Sequence, residues 1–202
     1  MDRIFVVIFI GQQASLITTH MSPVFNITAL HSDPPVIASL ANLLIETVAH
    51  GGSVSFMHPL LPDTATAFWE SSLAAAARGE RVVLGAWDSE TVVGTVTLLL
   101  DCPPNQPHRA EIAKMMTLVS HRGQGIARAL MLEAERIAIG NGRTLLNLDT
   151  ATEDGAAGLY EKMGFHRAGE IPGYALKPHG GLTGTIIYWK RIGEAAAEKN
   201  TR

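Results

Sequence analysis

Apolar and polar positions change their period several times along the chain. Residues 25–30 (FNITAL) alternate, which predicts a strand. Asp33 followed by Pro34 then supplies a helix start: an N-cap acid, then a residue whose fixed φ suits the first turn. Val36, Ile37, Leu40, Leu43, Leu44 and Val48 recur at helical spacing, and Gly51-Gly52 ends that helix. After a loop over 53–61, Pro62-Asp63 opens a second helix that carries Phe68, Trp69 and Leu73 and stops at Gly79. Residues 81–87 and 91–100 are β-rich and are joined by Asp88-Ser89-Glu90, a hairpin signal. Three prolines and an asparagine make 102–108 a loop. Residues 109–119 predict a third long strand. Residues 126–139 predict a helix with the apolar stripe Ile126, Leu130, Ala134 and Ile137, closed by Asn141-Gly142. A buried-type strand over 144–150 follows, then a short helix over 153–163 ended by Gly164. Strands over 166–171 and 185–191 flank a Gly/Pro-rich loop. The order βααβββαβαββ is a mixed α/β layout without a composition break, which predicts a single domain over 21–192.

The ends stand apart from this pattern. Residues 4–10 (IFVVIFI) form an apolar run far short of the ~20 residues a membrane span needs. Asp2 offsets Arg3, and no A-x-A-like cleavage site follows, which argues against a signal peptide. A second methionine, Met21, precedes the first patterned segment. Residues 1–20 are therefore expected to be a non-core extension, with an upstream start codon as one origin, and 193–202 a polar tail.

Composition narrows the function classes. The 202 residues include 16 Lys plus Arg and 19 Asp plus Glu, a formal charge of −3. That balance argues against a basic-patch nucleic-acid binder. Hydrophobic residues make up 47% and charged residues 17%, enough apolar side chain to build a full core rather than a disordered chain. One cysteine, Cys102, allows neither an intrachain disulfide nor a cysteine zinc site, and the cytoplasm is the expected compartment. The eight histidines show no metal-ligand spacing, so no metal is expected. Trp69, Trp87 and Trp189 are expected in the core.

The most informative stretch is 118–127, Leu-Val-Ser-His-Arg-Gly-Gln-Gly-Ile-Ala. A strand ends, a glycine-bearing turn follows and a helix begins. A helix N-terminus leaves about four backbone N–H groups unpaired and carries partial positive charge, so it suits phosphate. Gly123 and Gly125 permit unusual dihedrals there. Three readings fit these residues: an ordinary tight turn, a dinucleotide site, and the pyrophosphate arm of an acyl-CoA site. The dinucleotide fingerprint wants a third small residue where Arg128 stands, although Asp149 does imitate its ribose-binding acid.

Residues Arg122-Gly123-Gln124-Gly125-Ile126-Ala127 match R/Q-x-x-G-x-G/A, the coenzyme A signature of the GNAT N-acetyltransferases. One strand and one helix later, Leu159-Tyr160-Glu161-Lys162-Met163-Gly164-Phe165 resembles a second segment of that family. The stretches 44–53 (LIETVAHGGS), 110–116 (AEIAKMM), 146–150 (LNLDT) and 169–174 (GEIPGY) resemble the tabtoxin-resistance acetyltransferases within it, a likeness running over about residues 25–192. The resemblance implies a central, mostly antiparallel mixed sheet flanked by helices, with a splayed, V-shaped coenzyme A cleft. It implies acetyl transfer from acetyl-CoA to the primary amine of a small molecule, a tabtoxin-like β-lactam amino acid being the specific suggestion. No nucleic acid or membrane partner is expected, and the chain is expected to be a monomer or homodimer.

Residue roles follow from chemistry and resemblance together. A protonated amine must lose its proton, so a base nearby is useful. Period-2 alternation puts Glu111, Ala113, Met115, Thr117 and Val119 on one strand face, and Ile112, Lys114, Met116 and Leu118 on the other. Glu111 is the first candidate base by the resemblance; by spacing alone it reads instead as a rim carboxylate paired with Arg109 or Lys114. Asp149, at the carboxyl end of a buried strand, is placed for a substrate ammonium or a water. Tyr160 is a core aromatic by position, while the resemblance implies a general acid for the departing thiolate. Glu153 stands where many family members carry an asparagine that contacts coenzyme A, and it is left out of the ligand set. The resemblance also implies a bulge in the third long strand, whose main chain at Met115, Met116 and Leu118 pairs with the pantetheine arm. An amide near Met116 then serves as oxyanion donor. The cofactor set is completed by Arg122, Gly123, Gln124, Gly125, Ile126 and Ala127; Gly51, Gly52 and Ser53 are expected to touch the acceptor. Two other classes remain open from sequence: a module that binds acyl-CoA without turnover, and a dinucleotide-dependent oxidoreductase.

Overall fold

The sequence punctuation sets the element boundaries closely in a computed structural model that describes residues 25–153, 155 and 157–193. The elements are β1 (Asn26–Ala29), α1 (Pro34–Ala49), α2 (Pro62–Ala77), β2 (Arg81–Asp88), β3 (Thr91–Leu99), β4 (Arg109–Thr117), α3 (Ile126–Gly140), β5 (Leu145–Ala151), α4 (Ala157–Lys162), β6 (His166–Leu176) and β7 (Leu182–Arg191). The expected N-terminal extension and all of the polar tail past Gly193 lie outside the described residues. Pro34 and Pro62 fall in the first turns of α1 and α2, and Asp33 takes the N-cap position, although its side chain makes no capping bond. Helix α1 ends where Gly51 turns left-handed (φ 85) and the Gly51 and Gly52 amides close onto Val48 and Thr47.

The strands form one seven-stranded sheet in the order β1-β2-β3-β4-β5-β7-β6. Among the described strands β4–β5 is the parallel pair and every other pairing is antiparallel. That excludes the all-parallel sheet of a dinucleotide fold. One face of the sheet packs Val83, Val92 and Met116 against Leu40, Leu43, Leu44, Trp69 and Leu73 of α1 and α2. The other packs Leu84, Val96, Leu98, Ile112 and Leu148 against Ile126, Leu130 and Ala134 of α3 and Tyr160 of α4. Helix α3 comes unusually close at Gly94, where a Cβ would lie 2.7 Å from Ile126 Cγ2. Trp69 is fully buried, whereas Trp87 and Trp189 are only partly so.

Several sequence expectations shift in detail. Strand β4 stops at Thr117 because Val119–His121 winds into a short 3-10 turn. Helix α4 begins at Ala157 rather than near Glu153. Strands β6 and β7 run through much of the expected Gly/Pro loop: Ile171 pairs with Thr185 and Ala175 with Thr183, so four residue steps on β6 face two on β7. Pro172-Gly173-Tyr174 is thus a bulge within a ladder rather than a loop between strands.

The strand-face assignment also needs correcting. Ala113 pairs with Thr97 and Met116 with Thr95, three steps on β4 against two on β3. The extra residue is a bulge at Lys114, whose φ is 50. Beyond it the side-chain alternation slips by one. Met116 therefore packs on the α1 side, while Ile112 packs on the α3 side.

Candidate active site

Strands β4 and β5 pair only at Arg109–Leu145, Ala110–Leu146 and Glu111–Asn147, then separate. Above that point the β5-facing edge of β4 has no strand partner among the described residues, so its main-chain groups front an open V. The V is a cleft of about 600 Å³, lined by main-chain and side-chain atoms of Ala113–Thr117, Arg122, Ala127, Asp149–Ala151, Leu159 and Tyr160, with the 50–55 loop along one side. That size lies within the range of small-ligand sites.

At one end of the cleft sits the glycine turn. Gly123 and Gly125 have φ of 76 and 86, left-handed values that favour glycine. Helix α3 starts immediately after, and its first inward bond is from the Ala129 amide to the Gly125 carbonyl. Helix geometry leaves the amides of Ile126, Ala127 and Arg128 pointing out of that end. The turn is braced from outside: the Val119 amide donates to Glu46 Oε1 at 2.7 Å, and Arg122 Nε donates to the Thr117 carbonyl at 3.4 Å. Of the expected cofactor residues, Met115, Met116, Arg122 and Ala127 line the cleft. Gly123, Gln124, Gly125 and Ile126 form the turn beside it. Leu118 differs: its amide is committed to the Val93 carbonyl, and its own carbonyl accepts from His121, so its N–H is engaged within the protein.

The expected catalytic residues divide. Asp149 and Tyr160 both line the cleft. Asp149 Oδ2 lies 3.0 Å from the Thr185 hydroxyl, which also stands 3.2 Å from the Thr150 carbonyl. Tyr160 is 5% exposed, with its ring packed edgewise on Phe165 and tilted against Tyr188. Tyr160 is thus a core aromatic that also lines the cleft wall. Glu111 does not line the cleft. It sits at the apex where the strands still pair, with Oε2 accepting from Arg109 Nη1 at 3.2 Å and from Asn147 Nδ2 at 3.3 Å. Arg109 Nη1 also donates to Asn147 Oδ1 at 2.6 Å, which closes a three-residue network.

Gly51, Gly52 and Ser53 line the cleft along the 50–55 loop. Of the polar residues beside them, Thr47, Lys114 and Glu153 as a wall residue are not singled out by sequence reasoning, and Lys177 lines the cleft as well. Lys177 Nζ lies 3.1 Å from Glu153 Oε2, an ion pair on the cleft rim. Lys114 Nζ donates to the Val54 carbonyl at 2.9 Å and to Ser55 Oγ at 3.1 Å. Burial pushes its ammonium pKa down, opposed by the charge of Asp149. A lysine between Ala113 and Met115 in an apolar strand is the available signal; Thr47 carries none. Cys102 lies away from the cleft, with its thiol donating to the Arg109 carbonyl at 3.2 Å.

The acetyltransferase (GNAT) family pattern matches residues 47–165, a span that takes in the 50–55 loop, the bulge, the glycine turn and Tyr160. The chain belongs to the GNAT family. A stretch of 91 residues is 37% identical to N-acetyltransferase 8B of Rattus norvegicus, covering 43% of this chain and 41% of that protein. The chain thus spans about two-fifths of the length of the curated relatives it matches. An N-acetyltransferase from Staphylococcus aureus Mu50 superposes with a TM-score of 0.70 at 18% identity, over 83% of this chain and 99% of its own. A phosphinothricin acetyltransferase from Sinorhizobium meliloti, solved in complex with acetyl-CoA, gives a TM-score of 0.70 at 18% identity, over 85% of this chain and 91% of its own. These likenesses establish the fold. Among the described residues no helix is long and apolar enough to cross a membrane.

Proposed function

We propose that this GNAT domain moves an acetyl group from acetyl-CoA to the primary amine of an amino-acid-like small molecule, a tabtoxin-like β-lactam antibiotic being the specific candidate. The observation that carries this reading is the continuity of one cleft from the glycine turn, past the open edge of β4, to Asp149 and Tyr160. The residues fit the co-substrate. The α3 N-terminus and the left-handed Gly123 and Gly125 offer main-chain N–H groups to a pyrophosphate, and the β5-facing edge of β4 at Met115, beside Met116 that pairs with Thr95 of β3, offers strand-like pairing to an amide-bearing arm. Acetyl-CoA would supply the thioester that makes the acetyl group transferable.

The chain's own groups then have separable tasks. An amide near Met116 donates to the reacting carbonyl oxygen. Tyr160 hands its phenolic proton toward the leaving sulfur. Asp149 receives the acceptor ammonium or orients a water. Glu111, held at the apex of the V, takes the amine proton through water, a route consistent with its distance from the cleft lining. The cleft lining carries two cations, Lys114 and Lys177, and two carboxylates, Asp149 and Glu153, with Lys177 and Glu153 paired to each other. Charges of both signs in one cleft support a zwitterionic acceptor over a purely cationic amine. The proposed compartment is the cytoplasm.

The alternative, acyl-CoA binding without turnover, draws on one observation: Glu111 is already satisfied by Arg109 and Asn147. Calorimetry with acetyl-CoA and NADH, followed by mass spectrometry of an amine panel including L-phosphinothricin and free amino acids, tests the reading. Acetyl-CoA binding with acetylation of at least one amino-acid-type amine supports it. NADH binding alone, or acetyl-CoA binding with no product, overturns it.

A further inference from the structure

Among the described residues, Ser55, Ser89 and Lys114 are the non-glycine positions with left-handed backbone. Ser89 belongs to the β2–β3 hairpin, a turn that commonly uses such a conformation. The other two meet each other. Ser55, with φ 73, lies on the loop between α1 and α2; Lys114, with φ 50, is the bulge residue of β4. Lys114 Nζ joins them, donating to Ser55 Oγ at 3.1 Å and to the adjacent Val54 carbonyl at 2.9 Å. Its ammonium also lies 5.9 Å from the centre of the Phe56 ring and 5.8 Å from that of Phe68, within the range of cation–π attraction. Two disfavoured backbone conformations facing each other over a binding cleft persist only where surrounding contacts hold them.

The charge itself needs explaining. Burial works against this ammonium, and Asp149 favours it only from a distance. Its hydrogen bonds go to a carbonyl and a hydroxyl rather than to a carboxylate. A half-buried charge so placed is kept for what it holds. What it holds is the 51–55 wall of the acceptor side, fastened to the strand position where the β4 edge opens.

We propose that Lys114 is a positioning residue that locks the acceptor loop to the β4 bulge, so that the acceptor wall and the acetyl-transfer edge keep one fixed spacing. This rests on the acetyltransferase reading for its kinetic consequence, though not for the tie itself. With Lys114 removed, the loop loses its anchor and the acceptor loses a preformed wall. The glycine turn is braced separately through Glu46 and Thr117, so binding of acetyl-CoA stays unchanged.

The test compares the parent with Lys114→Met, Lys114→Gln, Ser55→Ala and the Lys114→Met, Ser55→Ala double variant, each first checked for folding by circular dichroism. Hydrogen exchange reads the tie. The bonded amides at the ends of this loop, Gly52 and His58, should exchange about tenfold or more faster in Lys114→Met, with the 122–127 turn unaffected. Steady-state kinetics with the best amine of the panel read the consequence. Acceptor KM should rise about tenfold in Lys114→Met, with kcat changing less and acetyl-CoA affinity within about threefold. Lys114→Gln, which keeps N–H donors, should recover part of the loss, and Ser55→Ala should add little on top of Lys114→Met. Unchanged exchange at Gly52 and His58 overturns the tie. Faster exchange with unaltered acceptor KM, or an equal loss of acetyl-CoA affinity, overturns the positioning role. If the parent acetylates no amine, the functional reading fails and the exchange result still decides the tie.

Discussion

Glu111 and Asn147 are the last facing pair of β4 and β5, with Asn147 Nδ2 donating to Glu111 Oε2 at 3.3 Å. The sheet opens directly above them. This places the candidate base at the hinge of the V, fixed by Arg109 and shared with the neighbouring strand. Glu111→Gln preserves the shape and removes the proton acceptor. Its pH–rate profile should move to the alkaline side, because the amine must then shed its proton without help. An unchanged profile assigns the base to another group.

Tyr160 combines packing and reach. Its ring contacts Phe165 and Tyr188, so Tyr160→Phe keeps the core contacts while removing the hydroxyl. The expected result is a kcat at least about tenfold lower, toward the ~10²-fold typical of acid–base catalysis. A parent-like kcat removes the phenol from the chemistry.

Gly52 is a packing constraint at the acceptor wall. A Cβ there would lie 2.6 Å from Thr47 Cγ2 and 3.0 Å from the Thr47 carbonyl. Gly52→Ala forces the loop off the last turn of α1. Overpacking of this kind costs about 1–3 kcal/mol, which for a domain of this size lowers the melting temperature by roughly 2–4 °C per kcal/mol. Thermal unfolding of the variant checks it, and an unchanged midpoint shows that the loop yields freely.

Lys114 also predicts a pH dependence of stability. Burial lowers its folded-state pKa below the ordinary 10.5. Between the folded and unfolded values the unfolded chain binds a proton that the folded chain does not. Stability therefore rises with pH in that window, and below it the buried charge is a constant cost. The difference in unfolding free energy between the parent and Lys114→Met should accordingly shift in the parent's favour as pH climbs toward 10.5. Denaturant melts across the alkaline range measure this; a pH-independent difference contradicts the burial argument.

Where local chemistry decides, the fold was legible in the sequence. Pro34 and Pro62 opened α1 and α2, Gly51 closed α1, and the two glycines of the 123–125 turn announced the start of α3. The splayed cleft followed from resemblance, and the pairing limit at Glu111–Asn147 bears it out. What was not legible depends on counting residues between strands far apart in sequence. The resemblance implies a bulge in this strand, but not its place: at Lys114 β4 spends three residues where β3 spends two. Nothing local in 110–117 marks that position, so plain alternation puts Met116 on the wrong face and gives Lys114 no place at the cleft. The Pro172-Gly173 bulge hid half of β6 for the same reason: residues that usually end a strand interrupt one here. Glu111 was chosen for its residue type and position along the strand, and its exclusion from the cleft lining follows from where β5 departs.

The most direct measurement is release of free coenzyme A thiol from acetyl-CoA, followed together with the mass of each amine in a panel. The proposed transfer predicts thiol release that depends on one or more amino-acid-type amines, matched mole for mole by the acetylated product and strongly reduced in Tyr160→Phe. Thiol release that is absent, or that continues without any acetylated amine, contradicts it.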